Sequence, residues 1–193
     1  MSAPPKHRQS IIDTCVTLFR RKGYAGTGLN DIADASGAPK GSIYHYFPLG
    51  KPSIAVAAIE EAGQRVAVTL TKLAADNASA ADTIVAHAGL LAGWMKKSGF
   101  RDGCPITTVL LELAPADRAV SAAGRQAYCA RIRIIANKLI GDGHSSDRAR
   151  RLAMLTVSAL QGALVQARIE RSEAPILTAA QELKIFLDTE ATR

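Results

Sequence analysis

Apolar residues recur at helical spacing along almost the whole chain, and glycine or proline interrupts each stretch. In residues 6–22, the apolar residues that share one side of a helix are Ile11, Ile12, Cys15, Val16 and Phe19. No segment shows a convincing alternation of apolar and polar residues, which a half-buried strand would show. Alanine and leucine are abundant and aromatic residues are few, a composition that favours helices. The sequence therefore predicts an all-α protein.

Helix-ending and helix-capping residues set the predicted boundaries. Gly23 ends the first helix, and Pro39 suits the first turn of the third. Ser79-Ala-Ala-Asp82 and Thr178-Ala-Ala-Gln181 resemble capping boxes that open the fifth helix and the last one. The predicted helices are residues 6–22, 29–35, 39–47, 52–75, 79–97, 105–113, 116–140, 147–171 and 178–190.

Bulk properties exclude several classes of protein. A chain of 193 residues can bury a core without disulfide or metal staples. Cys15, Cys104 and Cys129 lie far apart and no Cys/His cluster occurs, so we predict neither a disulfide framework nor a zinc site, and no cofactor. The N-terminus is polar and no apolar run approaches ~18 residues. The sequence thus predicts a cytoplasmic protein with reduced thiols and no membrane span.

Positive charge is concentrated near the N-terminus. The chain has a formal net charge of +7. Residues 1–51 hold seven lysines and arginines against three aspartates, whereas residues 52–193 hold seventeen against fourteen acidic residues. A basic segment favours an anionic partner, so the N-terminal segment is where we expect such a partner to bind.

Two short helices with a glycine-containing turn between them, residues 29–35 and 39–47, predict a helix-turn-helix. In that motif the second helix enters the major groove of DNA. Three aromatic residues lie within Tyr44–Phe47, between Lys40 and Lys51. Aromatic clusters more often belong to a core, and lysines beside them often lay their stems on it. Short-helix spacing, local charge and N-terminal position coincide here and favour double-stranded DNA as the partner.

Individual side chains of the second helix suit different contacts. Lys40 can reach a phosphate or a guanine edge, and Gly41 lets the backbone approach DNA closely. Ser42, Tyr44 and His45 carry hydrogen-bonding tips.

Spacing along the helix separates the remaining residues. Tyr44 and Tyr46 are two apart and cannot project to the same face, so one contacts phosphate while the other packs or flanks the backbone. Ile43 and Phe47 face inward and hold this helix on the first one. Lys51, at the start of the next helix, adds a phosphate contact.

The segment AGTGLNDIADASGAPKGSIYHYF resembles the DNA-binding signature of the TetR family of bacterial repressors. The signature covers about residues 8–55. Its strongest matches are Gly23-Tyr24, Thr27, Asp31-Ile32-Ala33, Gly37, Lys40-Gly41 and Tyr44 through Phe47. The resemblance implies an all-helical homodimer with a C-terminal effector pocket. It also implies DNA-contact roles for Thr27, Pro39, Lys40, Gly41, Tyr44, His45, Tyr46 and Lys51.

Two features depart from the usual signature. Ala38-Pro39 replaces the commoner Val-Ser, which removes one hydroxyl contact to DNA. The connection FPLGKP is a residue longer than the usual Phe-x-x-Lys. That connection, together with DGCPITTVLLELAP downstream, resembles the LmrA/YxaF-like branch of the family.

The chain divides into two predicted domains. Residues 1–51 form the helix-turn-helix DNA-binding domain, and residues 52–193 form a helical bundle for effector binding and dimerisation. The long helix from Pro52 is the predicted lever between them, because Lys51 at its start touches DNA while its far end joins the ligand domain.

Close-packed helices with small alanine faces and a few large rings can leave an apolar cavity for a small apolar or aromatic effector. Trp94 and Phe100 flank the glycine-rich break SGFRDG, where a portal could open. Taken singly, each large residue is more often ordinary core. Glu112 is either exposed on its short helix or a buried acceptor for a ligand donor. The predicted effector-binding residues are Trp94, Phe100, Cys104, Thr108, Leu111, Tyr128 and Gln161.

Two C-terminal segments carry apolar stripes. One consists of Leu152, Leu155, Ala159, Gly162 or Ala163, and Gln166; the other of Leu177, Ala180, Leu183 and Leu187. Two such helices paired with those of a symmetry mate make a four-helix bundle. The stripes could also belong to the core of one chain, but the family resemblance favours a homodimer through residues 147–190.

Together these patterns and the family resemblance predict a ligand-responsive transcriptional regulator, a repressor that binds a pseudo-palindromic operator as a dimer and is released by its effector. An enzyme is disfavoured because the sequence shows no nucleophile–base pair, paired carboxylates or phosphate loop. The alternative is a thiol-based redox sensor that acts through Cys104, with Arg101 as its cationic neighbour. A gel-shift assay with and without oxidant distinguishes ligand control from thiol control.

Overall fold

A computed structural model describes residues 7–191, with the backbone alone for Ala191. Within that part of the chain every regular element is an α-helix, which confirms the predicted fold class. The helices are α1 (Arg8–Lys22), α2 (Leu29–Ser36), α3 (Lys40–Tyr46), α4 (Lys51–Asp76), α5 (Ala80–Lys97), α6 (Pro105–Leu113), α7 (Arg118–Gly141), α8 (Ser146–Glu170) and α9 (Ala174–Ala191).

Capping residues place several helix ends where the sequence predicts them. Gly23 ends α1 with φ of 76°, a conformation that favours glycine. At the start of α5, Ser79 Oγ accepts a hydrogen bond from the backbone N–H of Asp82 at 3.0 Å, so the predicted cap is confirmed. These local signals need no distant partner, which is why the sequence alone is enough to find them.

The predicted start of the last helix at Thr178 is wrong. α9 begins at Ala174, whose N–H donates to Ser172 Oγ at 3.1 Å. Pro175 fits this first turn because its missing N–H would have no helical acceptor there. Thr178 therefore lies inside the helix, and its capping-box spacing to Gln181 is coincidental.

The described chain forms two compact units. The N-terminal unit contains the chain up to Gln64 together with Cys104–Ala127, and the C-terminal unit contains Arg65–Gly103 with the chain from Tyr128 onward. The predicted boundary after residue 51 followed the end of the helix-turn-helix signature. The first unit instead extends along α4 and takes in α6 and the first part of α7.

In the N-terminal unit, α1 packs against α2, α3 and α6. The fully buried large side chains of this unit include Ile11, Phe19, Ile32, Ile43 and Ile54. The predicted apolar stripe of α1 is therefore confirmed as core. α6 also lies close to α7, because a Cβ added at Gly124 would meet Leu110 Cδ2 at 2.5 Å.

In the C-terminal unit, α5 packs against α8 and α9, and α8 packs against α9. Lys184 of α9 binds the Asp82 carboxylate of α5 at 2.8 Å. Burial, with a smaller effect from Arg131, lowers the pKa of His87 to about 4, so this histidine is neutral at physiological pH. α8 is long and apolar enough to cross a membrane by length and composition, a test that the core helix of a water-soluble protein also passes.

Candidate nucleic-acid interface

The turn between α2 and α3 is fixed by local hydrogen bonds and one glycine. The Asp31 carboxylate accepts a hydrogen bond from the Gly28 N–H at 2.8 Å, which caps α2. Gly37 follows α2 with φ of 65°, in the left-handed region that favours glycine. Ser10 Oγ of α1 donates to the carbonyl of Ser36 at 2.8 Å. α3 is thereby held in a defined direction relative to α1 and α2.

Two buried side chains hold α3 on the core. Ile43 and Phe47 are 1% and 3% exposed, so the prediction that both face inward is confirmed. Because they lie four residues apart, they anchor one side of a short helix. The exposed residues of this helix, here called its exposed face, are Lys40, Gly41, Tyr44 and His45.

This exposed face unites four of the predicted DNA contacts. The side chain of Tyr44 is 57% exposed. A Cβ added at Gly41 would meet no protein atom within 4 Å, so the packing of the chain does not require glycine there. The other predicted contacts of this segment lie at its margins. Pro39 is exposed, whereas Ser42 and Tyr46 are half-buried. The arrangement offers a cation, a bare backbone and two hydrogen-bonding rings to one surface.

Thr27 does not lie on that surface. Its side chain is buried, and its hydroxyl donates to the carbonyl of Gly23 at 2.8 Å. In this conformation Thr27 closes the turn between α1 and α2. Its DNA-contact role stays a prediction.

Lys51 is half-buried at the start of α4, and its surroundings were not foreseen from the sequence. Its Nζ lies 4.0 Å from the centroid of the Tyr24 ring, within cation–π range. Burial lowers the pKa of Lys51, while the carboxylates of Glu112 and Asp31 act in the opposite direction. Tyr24 belongs to the matched Gly23-Tyr24 pair of the family signature, and this match is the one feature of the sequence that indicates Tyr24 as a residue of this region.

Glu112 of α6 is a further residue of this region that sequence reasoning did not place here. Its side chain is exposed, which is one of the two alternatives predicted from the sequence. Its carboxylate accepts hydrogen bonds from the backbone N–H groups of Tyr24 and Ala25. The partners are separated by 88 and 87 residues, so no spacing in the sequence could indicate the contact.

The seven predicted effector-binding residues are divided between the two units. Trp94, Phe100, Tyr128 and Gln161 belong to the C-terminal unit, and Cys104, Thr108 and Leu111 belong to the N-terminal unit. The side chains of Trp94 and Leu111 are 46% and 78% exposed, whereas the other five residues are half-buried. Thr108 already donates its hydroxyl proton within the N-terminal unit.

The predicted dimerisation stripes contain both buried and exposed residues. Leu152, Ala180, Leu183 and Leu187 are buried inside the C-terminal unit, which corrects their assignment to an outer surface. Other apolar side chains of α8 and α9 are exposed instead: Leu155, Val165, Ile169, Leu177, Ile185 and Phe186. A groove between the two helices is lined by Leu155, Ala159, Ala179, Glu182, Leu183 and Phe186. This groove and the exposed side of α8 that carries Leu155, Val165 and Ile169 are here called the apolar face of α8 and α9.

Comparison with known proteins agrees with this arrangement of helices. Residues 11–58 match the model of the tetR family of bacterial regulatory proteins. Residues 80–182, more than half of the chain, match the C-terminal domain of LmrA/YxaF-like transcriptional regulators. The chain belongs to the TetR family. Both the family resemblance and the branch resemblance predicted from the sequence are confirmed.

Relatives match over nearly the full length of this TetR-family protein. The uncharacterized HTH-type transcriptional regulator Rv0196 of Mycobacterium tuberculosis is 30% identical over 185 residues, 93% of each chain. The HTH-type transcriptional regulator LmrA of Bacillus subtilis is 27% identical over 170 residues, 88% of this chain and 90% of LmrA.

A solved structure shows the same fold. The regulatory protein TetR from Rhodobacter sphaeroides has a TM-score of 0.82 with 24% identity, and the match covers 92% of this chain and 97% of that one. Because the chain belongs to the TetR family, it is a DNA-binding transcriptional regulator, and its relatives are regulators rather than enzymes.

Proposed function

We propose that this regulator is a repressor that binds a pseudo-palindromic operator as a homodimer in the cytoplasm, and that a small apolar or aromatic effector releases it. The observation that carries the proposal is the exposed face of α3. Lys40, Gly41, Tyr44 and His45 are exposed there, while Ile43 and Phe47 are buried and hold α3 on the core. A short helix held in this way can enter the major groove with its first turn against the base edges.

The contacts divide by chemistry into those that read bases and those that hold the backbone. Lys40, Tyr44 and His45 carry polar tips that can reach base edges or phosphates, and Gly41 permits close approach of the helix. Lys51 supplies a phosphate contact beside the first N–H groups of α4. Pro39, Ser42 and Tyr46 flank the groove, and Thr27 supports the turn that precedes α2.

The apolar face of α8 and α9 is proposed as the dimer interface. Leu155, Val165 and Ile169 are each at least half exposed, and their spacing places them on one side of α8. Burial of such a stripe against a second copy is favourable by about 25 cal/mol for each Å² of apolar surface. A two-fold dimer brings two recognition helices to successive major grooves.

Release follows from a shift between two shapes of the dimer. An effector favours release only if it binds more tightly to the shape whose recognition helices are wrongly spaced. α4 is the proposed lever, since it starts at Lys51 in the N-terminal unit and ends at Asp76 in the C-terminal unit.

The decisive test of DNA binding is its salt dependence. An operator is first selected from a random duplex pool with the purified full chain, and affinity is then measured by fluorescence anisotropy at several salt concentrations. Each phosphate contact releases counterions, so Lys51→Ala is expected to reduce the slope of log K against log salt by about 0.9. The loss of affinity is expected to be similar for all duplex sequences, because a phosphate contact carries no sequence information.

Lys72→Ala is the matched control, because Lys72 is an exposed lysine of the same helix. It lies about 30 Å further along α4 at 1.5 Å per residue, well beyond the screening length of ~10 Å. Its slope should equal that of the wild type. An equal change of slope in both variants would mean that only net charge matters, and a wild-type affinity independent of salt would refute the proposal.

The proposed effector site is tested at Trp94, the only tryptophan of the chain. Aromatic compounds that release the operator are expected to quench or shift its fluorescence. Trp94→Ala should raise the concentration needed for release about fivefold, since aromatic contact is worth on the order of 1 kcal/mol. Operator affinity without compound should stay unchanged. If a releasing compound alters neither the fluorescence nor the response of the variant, the site lies elsewhere, with Tyr128, Gln161 and Phe186 to be tested next.

A further inference from the structure

Glu112, near the end of α6, contacts the turn between α1 and α2. Its Oε1 accepts a hydrogen bond from the N–H of Tyr24 at 2.7 Å, and its Oε2 accepts one from the N–H of Ala25 at 2.6 Å. Both carboxylate oxygens are therefore engaged with consecutive backbone groups. Hydrogen bonds to an ionised carboxylate are about twice as strong as neutral ones.

A second contact from α6 reaches the end of α1. The hydroxyl of Thr108 lies 3.1 Å from the carbonyl oxygen of Phe19, to which it can donate. Thr108 and Glu112 are four residues apart, so they lie on the same side of α6. That carbonyl also accepts the Gly23 N–H at 3.0 Å, so Thr108 offers a second donor to the last turn of α1. α6 thus holds both the last turn of α1 and the turn after it.

The backbone at Gly23 is adapted to the carboxylate. A Cβ added at Gly23 would collide with Glu112 Oε1, and the φ of 76° also favours glycine. The close approach of Glu112 and the conformation of the turn therefore depend on the same residue. The sequence indicates this glycine as a helix end and as part of the Gly23-Tyr24 match, without indicating its contact with Glu112.

The residue held by Glu112 supports the lysine at the start of α4. The ring of Tyr24 lies 4.0 Å beneath Lys51 Nζ, and the same ring packs 5.8 Å from that of Phe19. The backbone position of Tyr24 fixes where its ring can lie. A change at Glu112 is therefore transmitted through Tyr24 to the ammonium group of Lys51.

We propose that Glu112 is a positioning residue for DNA binding, which fixes the turn at Tyr24 and so aims Lys51 at a phosphate of the operator. This inference rests on the proposed function, since it takes Lys51 as a phosphate contact. Glu112 itself touches no DNA. The negative charge of Glu112 alone would weaken DNA binding, whereas its hydrogen bonds to the turn at Tyr24 strengthen binding by positioning Lys51.

The test compares Glu112→Ala and Glu112→Gln in the full chain with the selected operator. Glu112→Ala should lower affinity about fivefold and reduce the salt slope by about 0.9, as Lys51→Ala does. Glu112→Gln keeps one oxygen acceptor, so its loss should be smaller. In the double variant Glu112→Ala/Lys51→Ala, affinity should equal that of Lys51→Ala alone, because the two residues act through one contact. Amide hydrogen exchange at Tyr24 and Ala25 should become faster in Glu112→Ala.

Glu60→Ala is the control for charge, because Glu60 is an exposed acidic residue of α4 in the same unit. It should bind the operator at least as tightly as the wild type. If Glu112 only stabilised the fold, Glu112→Ala would leave the salt slope unchanged, and its loss of operator affinity would add to the loss caused by Lys51→Ala. Either result in a folded variant overturns the inference. If Glu112→Ala does not fold, the inference is overturned when Glu112→Gln has the same operator affinity and the same salt slope as the wild type. Absence of DNA binding by the wild type would instead refute the proposed function.

Discussion

Leu155→Glu combined with Val165→Glu is expected to convert the proposed dimer into monomers that bind the operator only weakly. Both side chains lie on the exposed apolar side of α8, with 50% and 54% of their surface accessible in the single chain. A two-fold interface contains each substitution twice, so four carboxylates would be placed in one apolar contact. Burying each without a partner costs several kcal/mol.

The dimer dissociation constant should therefore rise by at least about three orders of magnitude, at 1.4 kcal/mol for each tenfold change. Light scattering and sedimentation at micromolar concentration measure it. Operator affinity should fall to that of a half-site, because the second recognition helix is no longer tethered. Leu183 is unsuitable for this experiment, since it is buried within the C-terminal unit and a charge there would unfold the chain.

Val68→Glu is the matched control. Val68 is 59% exposed on α4, so the same substitution is made at a similar exposure outside α8 and α9. It should remain a dimer with wild-type operator affinity. A monomeric wild type, or a double α8 variant that remains dimeric, would contradict the proposed interface.

Lys40→Ala combined with Tyr44→Ala is expected to lower specific operator affinity about a hundredfold without loss of the fold. The two exposed side chains lie four residues apart on the free face of α3. Each good contact to a base edge is worth about 1–3 kcal/mol, so two together account for an effect of this size. Binding to unrelated duplex DNA should fall much less, because it depends mainly on phosphate contacts. Anisotropy titrations with both duplexes measure the ratio.

A comparable pair on another helix provides the control. Val68 and Lys72 are also four residues apart and exposed, on α4 in the C-terminal unit. Val68→Ala/Lys72→Ala should bind both duplexes as the wild type does. If the α3 variant keeps its preference for the operator while circular dichroism shows it folded, a different surface reads the bases.

The local pattern of the sequence was enough for α3. Ile43 and Phe47 are four residues apart, as are Lys40 and Tyr44, and the apolar pair is buried while the polar pair is exposed. The same local reasoning failed at α9, where Thr178 and Gln181 have the spacing of a capping box inside a continuing helix. A capping signal shows that a helix can begin at a residue, and the preceding turn decides whether it does.

Periodicity also could not tell which apolar stripe stays uncovered. Leu152 and Leu183 lie on stripes that are apolar in the sequence, yet both are buried by neighbouring helices of the same chain. Val165 and Ile169 belong to the uncovered side of α8 and were missing from the predicted stripe. An apolar stripe indicates that another surface covers it. Only the packing of α5, α8 and α9 shows which parts of the stripes are covered by helices of the same chain.

The sequence by itself determined the helices, the helix-turn-helix and the family, because these depend on residues close together in the chain. The tertiary structure alone decided that α6 belongs with the DNA-binding helices. It also brought the Glu112 carboxylate to the N–H groups of Tyr24 and Ala25 across more than 80 residues of chain. Such a contact depends on two backbone donors and one side chain, and backbone donors are the same at every residue except proline, so no sequence pattern marks them.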